Sequence, residues 1–144
     1  MPLPGFDAGV RNQRRSAPLE TTSIELNDGS RLKIPTLEEM LRIKTFLVVE
    51  RNATRDYLDV AALSHHLGMT ESIAALEHMN ELFADFAGED GDLLSSVAVK
   101  LANPDPYDLT DVDLTEYKGI IAPWNYWHAV ETQCRALAVG LLTA

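Results

Sequence analysis

The sequence predicts a mainly α protein, an antiparallel helical bundle preceded by one β-hairpin. Three observations point there. Apolar residues recur at helical spacing through LEEMLRIKTFLVVE, TRDYLDVAALSHHL and WNYWHAVETQCRALAVGLLTA. One early stretch, TTSIELNDGSRLKIP, alternates with period two around a turn. Helix-capping residues and glycines fall between the periodic segments, where connections belong. A length of 144 residues suits one domain, and 46% apolar content is enough for a real core.

The elements follow in order. Residues 1–19 carry Pro, Gly and scattered Arg without periodicity and are expected to form a mobile N-terminal arm. Residues 20–144 then form a single helical domain with the hairpin. Ile24 and Leu26 lie on one side of the turn, Leu32 and Ile34 on the other, and Asp28-Gly29 supplies the turn itself. A lone hairpin is marginal in water, so this one must lie on the helices or pair with something else. Thr36 caps the next helix, with Glu39 completing a capping box, and that helix runs over about 37–50. A second covers about 54–67 and stops at Gly68. Thr70 caps a third over about 71–87, ending at Gly88, and GEDGD is a loop. LLSSVAVKLA forms a short helix, the Pro-rich NPDPYD breaks it, and LTDVDLTEYKGI gives one or two short turns. Pro123 suits the first position of a long apolar terminal helix.

Charge narrows the partners. The net charge is −10, and between Asp56 and Val99 there are nine Asp or Glu and no Lys or Arg. Such a surface repels phosphate backbones, so nucleic acid is disfavoured and a protein partner, a basic one, or a homo-oligomer is expected. DVAALSHHLGMTESIAALEHMNELF has a helix-turn-helix rhythm, but its second helix begins with Glu71 and Ser72 and lacks the cations that read bases. An ordinary antiparallel helix pair is the better expectation. No run approaches the ~18 apolar residues of a membrane span, and the start is not a secretory signal. With a single cysteine, Cys134, no internal disulfide can form, which fits a cytoplasmic location. His65, His66 and His78 lack the spacing of a metal set and are expected to face solvent or cap helices. Trp124, Tyr126 and Trp127 are expected to seal a core, and Asp105, Asp108, Asp111 and Asp113 to form a solvated loop with helix caps.

The chemically pointed stretch is KTFLVVERNATRDYLDVAAL. On a helical wheel Lys44 falls within the stripe of Leu37, Met40, Leu41, Ile43, Leu47 and Val48. Asp56 falls within the stripe of Tyr57, Val60, Ala61, Leu63 and Leu67, with Asp59 at its border and Arg55 pointing away. Burying either charge alone would cost several kcal/mol, so a Lys44–Asp56 core ion pair is expected, or else a site in which the lysine holds a phosphate.

IPTLEEMLRIKTFLVVERNATRDYLDVAAL resembles the second half of the AbiEii-type nucleotidyltransferase-like toxin family, in which a lysine-bearing helix leads into an Arg-Asp-x-x-Asp helix. The tail DLTEYKG…W…W…V…C…LA is similar to that of a bacterial subgroup, so the resemblance spans roughly residues 21–143. It implies nucleotide transfer with a divalent metal. Lys44 would match the family lysine, Asp56 or Asp59 its downstream aspartate, and Lys44 with Arg55 would contact the nucleotide. The family's Gly-Ser loop and Asp-x-Asp metal site have no counterpart at the right spacing. The expectation is therefore a truncated toxin-like domain, a fragment or a natural short form, inactive alone. It would have no metal or cofactor of its own, with Mg and NTP bound only if another chain completes the site. The alternative is an oligomeric or antitoxin-like interaction module that binds no nucleotide.

Overall fold

A computed structural model of the chain describes residues 17–86, 91–117 and 119–144. The expected arm lies almost wholly outside these residues, as do Ala87 and Gly88 at the expected end of the third helix. The architecture is the expected one, mostly helical with one two-stranded antiparallel hairpin. Strands β1 (Thr21–Glu25) and β2 (Arg31–Pro35) are followed by helices α1 (Leu37–Arg51), α2 (Thr54–Leu67), α3 (Met69–Leu76), α4 (Met79–Leu82) and α5 (Leu93–Ala102). Two single 3-10 turns (Leu109–Asp111 and Leu114–Glu116) lead to the terminal helix α6 (Trp127–Thr143).

The hairpin pairs Ile24 with Leu32 and Ser23 with Lys33. Its turn needs a left-handed residue, which Gly29 supplies at φ 87°. Gly29 N–H donates to Leu26 O (2.9 Å) and Leu26 N–H to Ser30 O (2.7 Å). The hairpin does not lie flat on the bundle, and every residue of β1 is exposed. Hydrogen bonds at its base hold it instead. Thr36 N–H donates to Glu20 O (3.1 Å), and Glu20 N–H donates to the Glu39 carboxylate (3.0 Å). The capping box is thus half formed. Thr36 Oγ1 accepts from Glu39 N–H (3.1 Å), but the Glu39 carboxylate reaches back to Glu20. Arg42 continues this chain of contacts, with Nη1 2.9 Å from Glu39 and Nε donating 2.7 Å to Ala75 O in the last turn of α3. One arginine thereby satisfies a buried carboxylate and a helix-terminal carbonyl.

α1 is the central helix, packed against α2, α3 and α5. Its buried residues are Glu39, Leu41, Thr45, Phe46 and Val48, a stripe rotated away from the one the wheel suggested. Leu37 is 40% exposed and Lys44 is partly exposed. A helix with apolar residues on most sides gives the wheel no unique inner face. α2 occupies its expected range and ends at Gly68, φ 88°. Gly68 also starts α3, so Thr70 is not the cap.

The expected long third helix breaks after Leu76. The break turns Phe83 and Phe86 onto Phe46, with ring centroids 4.5 Å and 6.2 Å away. Such aromatic packing outweighs the few tenths of a kcal/mol per residue of helix propensity that would favour an unbroken helix. Neither glycine nor proline marks the break. The terminal helix begins at Trp127, four residues later than expected, and Pro123 lies in the turn that precedes it. α6 buries Val130, Cys134, Leu137 and Ala138. Its Gly140 passes so close to α3 that an added Cβ would lie 2.7 Å from Ile73 Cδ1 and 3.2 Å from Met69 Sδ. Ser64 joins three helices, since its carbonyl accepts from Ser72 Oγ (3.1 Å) and its hydroxyl from Gln133 Nε2 (3.0 Å). Cys134 is fully buried, and burial pushes its thiol up to about 12, with the Glu131 charge adding to the shift. It is a core residue, not a nucleophile.

Candidate functional site

The corner between α1 and α2 gathers the charged residues of the pointed stretch. Asn52 ends α1 in the left-handed conformation (φ 51°), which folds the chain back on itself. Arg51, the last residue of α1, then faces Asp56 in the first turn of α2. Nε and Nη2 of Arg51 donate to the two carboxylate oxygens at 3.1 Å and 2.6 Å. Asp56 is fully buried whereas the Arg51 side chain is 47% exposed. The bonds to Asp56 raise the Arg51 pKa further above its ordinary value. The first turn of α2 adds a favourable helix dipole for a carboxylate.

The same corner is clasped by the segment after α5. Asn52 Nδ2 donates to Asp105 O (2.9 Å), and Tyr107 N–H donates to Asn52 O (3.0 Å). Asp108 Oδ1 accepts both Thr54 N–H (2.8 Å) and Thr54 Oγ1–H (2.7 Å), capping α2 from 54 residues away. Partial burial would raise the Asp108 carboxyl, but the two bonds from Thr54 outweigh it and hold the carboxyl below its ordinary value. Tyr57 fills the space behind, wholly buried, its hydroxyl on Asn52 Oδ1 (2.6 Å) and its ring edge-on to Trp127 at 6.1 Å. Burial pushes its phenol well above the ordinary range. The corner is a structural lock.

The expected Lys44–Asp56 pair does not form. Lys44 Nζ lies 2.9 Å from Asp59, both side chains about a quarter exposed. The antiparallel register explains the exchange. The end of α1 meets the first turn of α2, so Arg51 takes Asp56, and Lys44 two turns back meets the next turn, which carries Asp59. Lys44, Arg55 and Asp59 therefore come together, and Asp56 is set apart from them. With Met40, Ala62 and Leu63 they line an open groove of about 370 Å³. The Arg55 guanidinium sits 5.8 Å over the Tyr117 ring.

Two cations face one carboxylate in this groove, beside an apolar strip. It can accept one acidic group with an apolar neighbour. The sequence signal for the groove was the Arg-Asp-x-x-Asp spacing, which places Arg55 and Asp59 one turn apart. The Arg51–Asp56 pair and the Asp108 clasp had no comparable signal. Elsewhere, His65 packs edge-on against Trp124 at 5.3 Å, and the exposed His78 lies 3.1 Å from Glu81. Among the described residues, no group of three or more His, Cys, Asp or Glu comes together to hold a metal.

Known proteins overturn the toxin resemblance. Over 129 residues, 90% of its length, the chain is 34% identical to the heme uptake protein MmpL11 of Mycobacterium tuberculosis. Identity is again 34% to the probable transport protein MmpL11 of Mycobacterium bovis. It is 31% over 128 residues to the mycolic acid-containing lipids exporter MmpL11 of Mycolicibacterium smegmatis. The chain spans about 13% of the length of each of these relatives. The expected relation to AbiEii-type nucleotidyltransferases, and with it the toxin–antitoxin assignment and nucleotide transfer, is therefore wrong. A lysine helix followed by Arg-Asp-x-x-Asp is a helix-corner pattern that charge pairing alone can produce, as the pairs Arg51–Asp56 and Lys44–Asp59 demonstrate. No family model and no solved structure matches the chain. No described helix is long and apolar enough to cross a membrane.

Proposed function

We propose that this chain works as a non-spanning globular module of a transport protein of the MmpL11 kind, acting through protein contacts and not through catalysis. One observation carries the reading. Similarity runs over 90% of this chain but 13% of its relative, as expected where a compact module belongs to a much larger protein. The fold supports it, because the described helices pack around a shared core and none is long and apolar enough for a bilayer. So does the chemistry of the corner, where the charged side chains are engaged in ion pairs and helix caps. The surface we assign to the rest of the transport protein is the Lys44–Arg55–Asp59 groove. It would take an acidic side chain beside an apolar one, a pairing with the single excess cation of the groove. The lone buried thiol is compatible with the cytoplasmic side of the membrane.

The relatives' names give different cargoes, heme and mycolic acid-containing lipids, so the module is assigned to the machinery and not to a cargo. Deleting the matched stretch from the Mycolicibacterium smegmatis exporter should reduce its lipid export about tenfold or more, with the truncated protein still reaching the membrane. Export unchanged by the deletion would contradict the reading.

A further inference from the structure

We propose that two copies of this chain associate through the outer edge of β1, forming a four-stranded antiparallel sheet with a two-fold axis at Ser23. The inference goes beyond the transport reading and does not depend on it.

The hairpin ladder sets which groups face outward. Leu26 N–H donates to Ser30 O, and Thr36 N–H donates to Glu20 O. Antiparallel ladders alternate, so Thr22 and Ile24 direct their backbone groups toward β2. Thr21, Ser23 and Glu25 direct theirs away from it, along an exposed edge. A two-stranded sheet has two such edges, and here they differ. β2 carries Arg31, Lys33 and Pro35, the residues that discourage edge pairing. β1 is TTSIE, rich in β-branched residues, with no lysine, arginine or proline.

Self-pairing also separates the edges. Two β1 strands centred on Ser23 place Ser23 opposite Ser23, Thr21 opposite Glu25 and Thr22 opposite Ile24, with no like charges opposed. Two β2 strands centred on Lys33 would set lysine against lysine, which is destabilising. Pairing through β1 forms about six backbone hydrogen bonds across the axis. It also joins the two apolar hairpin faces. In each copy Ile24, Leu26 and Leu32 share one face and are 40%, 41% and 48% exposed. An apolar face on an open-edged hairpin is marginal alone and gains most from further strands. A five-residue strand buries less than the ~1,200 Å² of a standard stable interface, so the dimer should be weak, with a dissociation constant on the order of 100 µM.

Sedimentation equilibrium of the 144-residue chain, from about 5 to 500 µM, tests this. The wild type should pass from monomer to dimer. Ser23→Pro removes an outward N–H without touching the hairpin ladder, and should weaken the dimer at least about tenfold. Ser23→Lys should do the same by opposing like charges at the axis. Lys33→Pro alters only the far edge and should leave the dimer intact. Far-UV circular dichroism should be unchanged in all three variants, since the hairpin stands outside the helical core. A wild type that stays monomeric throughout would overturn the proposal and leave the edge to an extended segment of a different protein. A dimer equally strong in Ser23→Pro would overturn it too, by placing the contact elsewhere.

Discussion

Arg51→Met is expected to lower the stability of the fold by roughly 3 kcal/mol, the lower part of the range for breaking a buried pair. Asp56 is fully buried, and Arg51 donates to both of its oxygens. Removing the arginine leaves a carboxylate that must stay ionised without that partner or take up a proton. The low end of the range applies because Arg51 is half exposed and water can follow it in. For a chain of this size the loss corresponds to a fall of roughly 6–12 °C in Tm. Lys44→Met is the matched control. Lys44 and Asp59 are each about a quarter exposed, and such a pair contributes at most about 1 kcal/mol. Thermal unfolding of the two variants side by side decides the matter. A larger loss for Lys44→Met than for Arg51→Met would invert the assignment of partners.

Tyr57→Ala should cost roughly 4 kcal/mol, as expected for emptying a large buried aromatic site. The ring is wholly buried against Trp127, and its hydroxyl anchors Asn52 at the left-handed corner. The loss therefore combines a cavity with a loosened helix connection. Tyr57→Phe separates the two contributions, because it keeps the ring and removes only the bond to Asn52, for about 1 kcal/mol. Urea unfolding monitored by circular dichroism should order the variants as wild type, Phe, Ala. Tyr57→Ala within about 1 kcal/mol of the wild type would mean that the corner packs without its tyrosine.

Local signals were legible in the sequence wherever one residue type is required by backbone geometry. Gly29 in the hairpin turn, Thr36 before α1 and Gly68 after α2 each placed a boundary correctly. The period-two pattern of Ile24, Leu26, Leu32 and Ile34 gave the hairpin and its face. The break after Leu76 was not legible, because it comes from Phe83 and Phe86 packing on Phe46, and no local breaker announces it. The orientation of α1 was not legible either. A helix surrounded by α2, α3 and α5 is apolar on several sides, so Lys44 looked central on a wheel yet reaches the surface.

The candidate site was half readable. Asp56 was rightly placed inside and Asp59 at a border, but the partners were exchanged. Partner choice depends on the register of two antiparallel helices, and that register is set by Asn52 and by the clasp from Asp105 and Asp108 across more than fifty residues. The functional error had a related origin. Charged residues one turn apart at a helix corner carried the resemblance to a family that the relatives do not bear out, and in the structure they pair across the two helices.

The proposed role requires that this chain work in place of the matching stretch of an MmpL11-type transport protein. The most direct measurement replaces the matched stretch of the Mycolicibacterium smegmatis exporter with this chain and quantifies exported mycolic acid-containing lipids. The account predicts export well above that of the deletion variant, recovering to a sizeable fraction of the unmodified exporter. A chimera present in the membrane at normal level, yet exporting no more than the deletion, would contradict it, provided the native stretch restores export when put back in the same way.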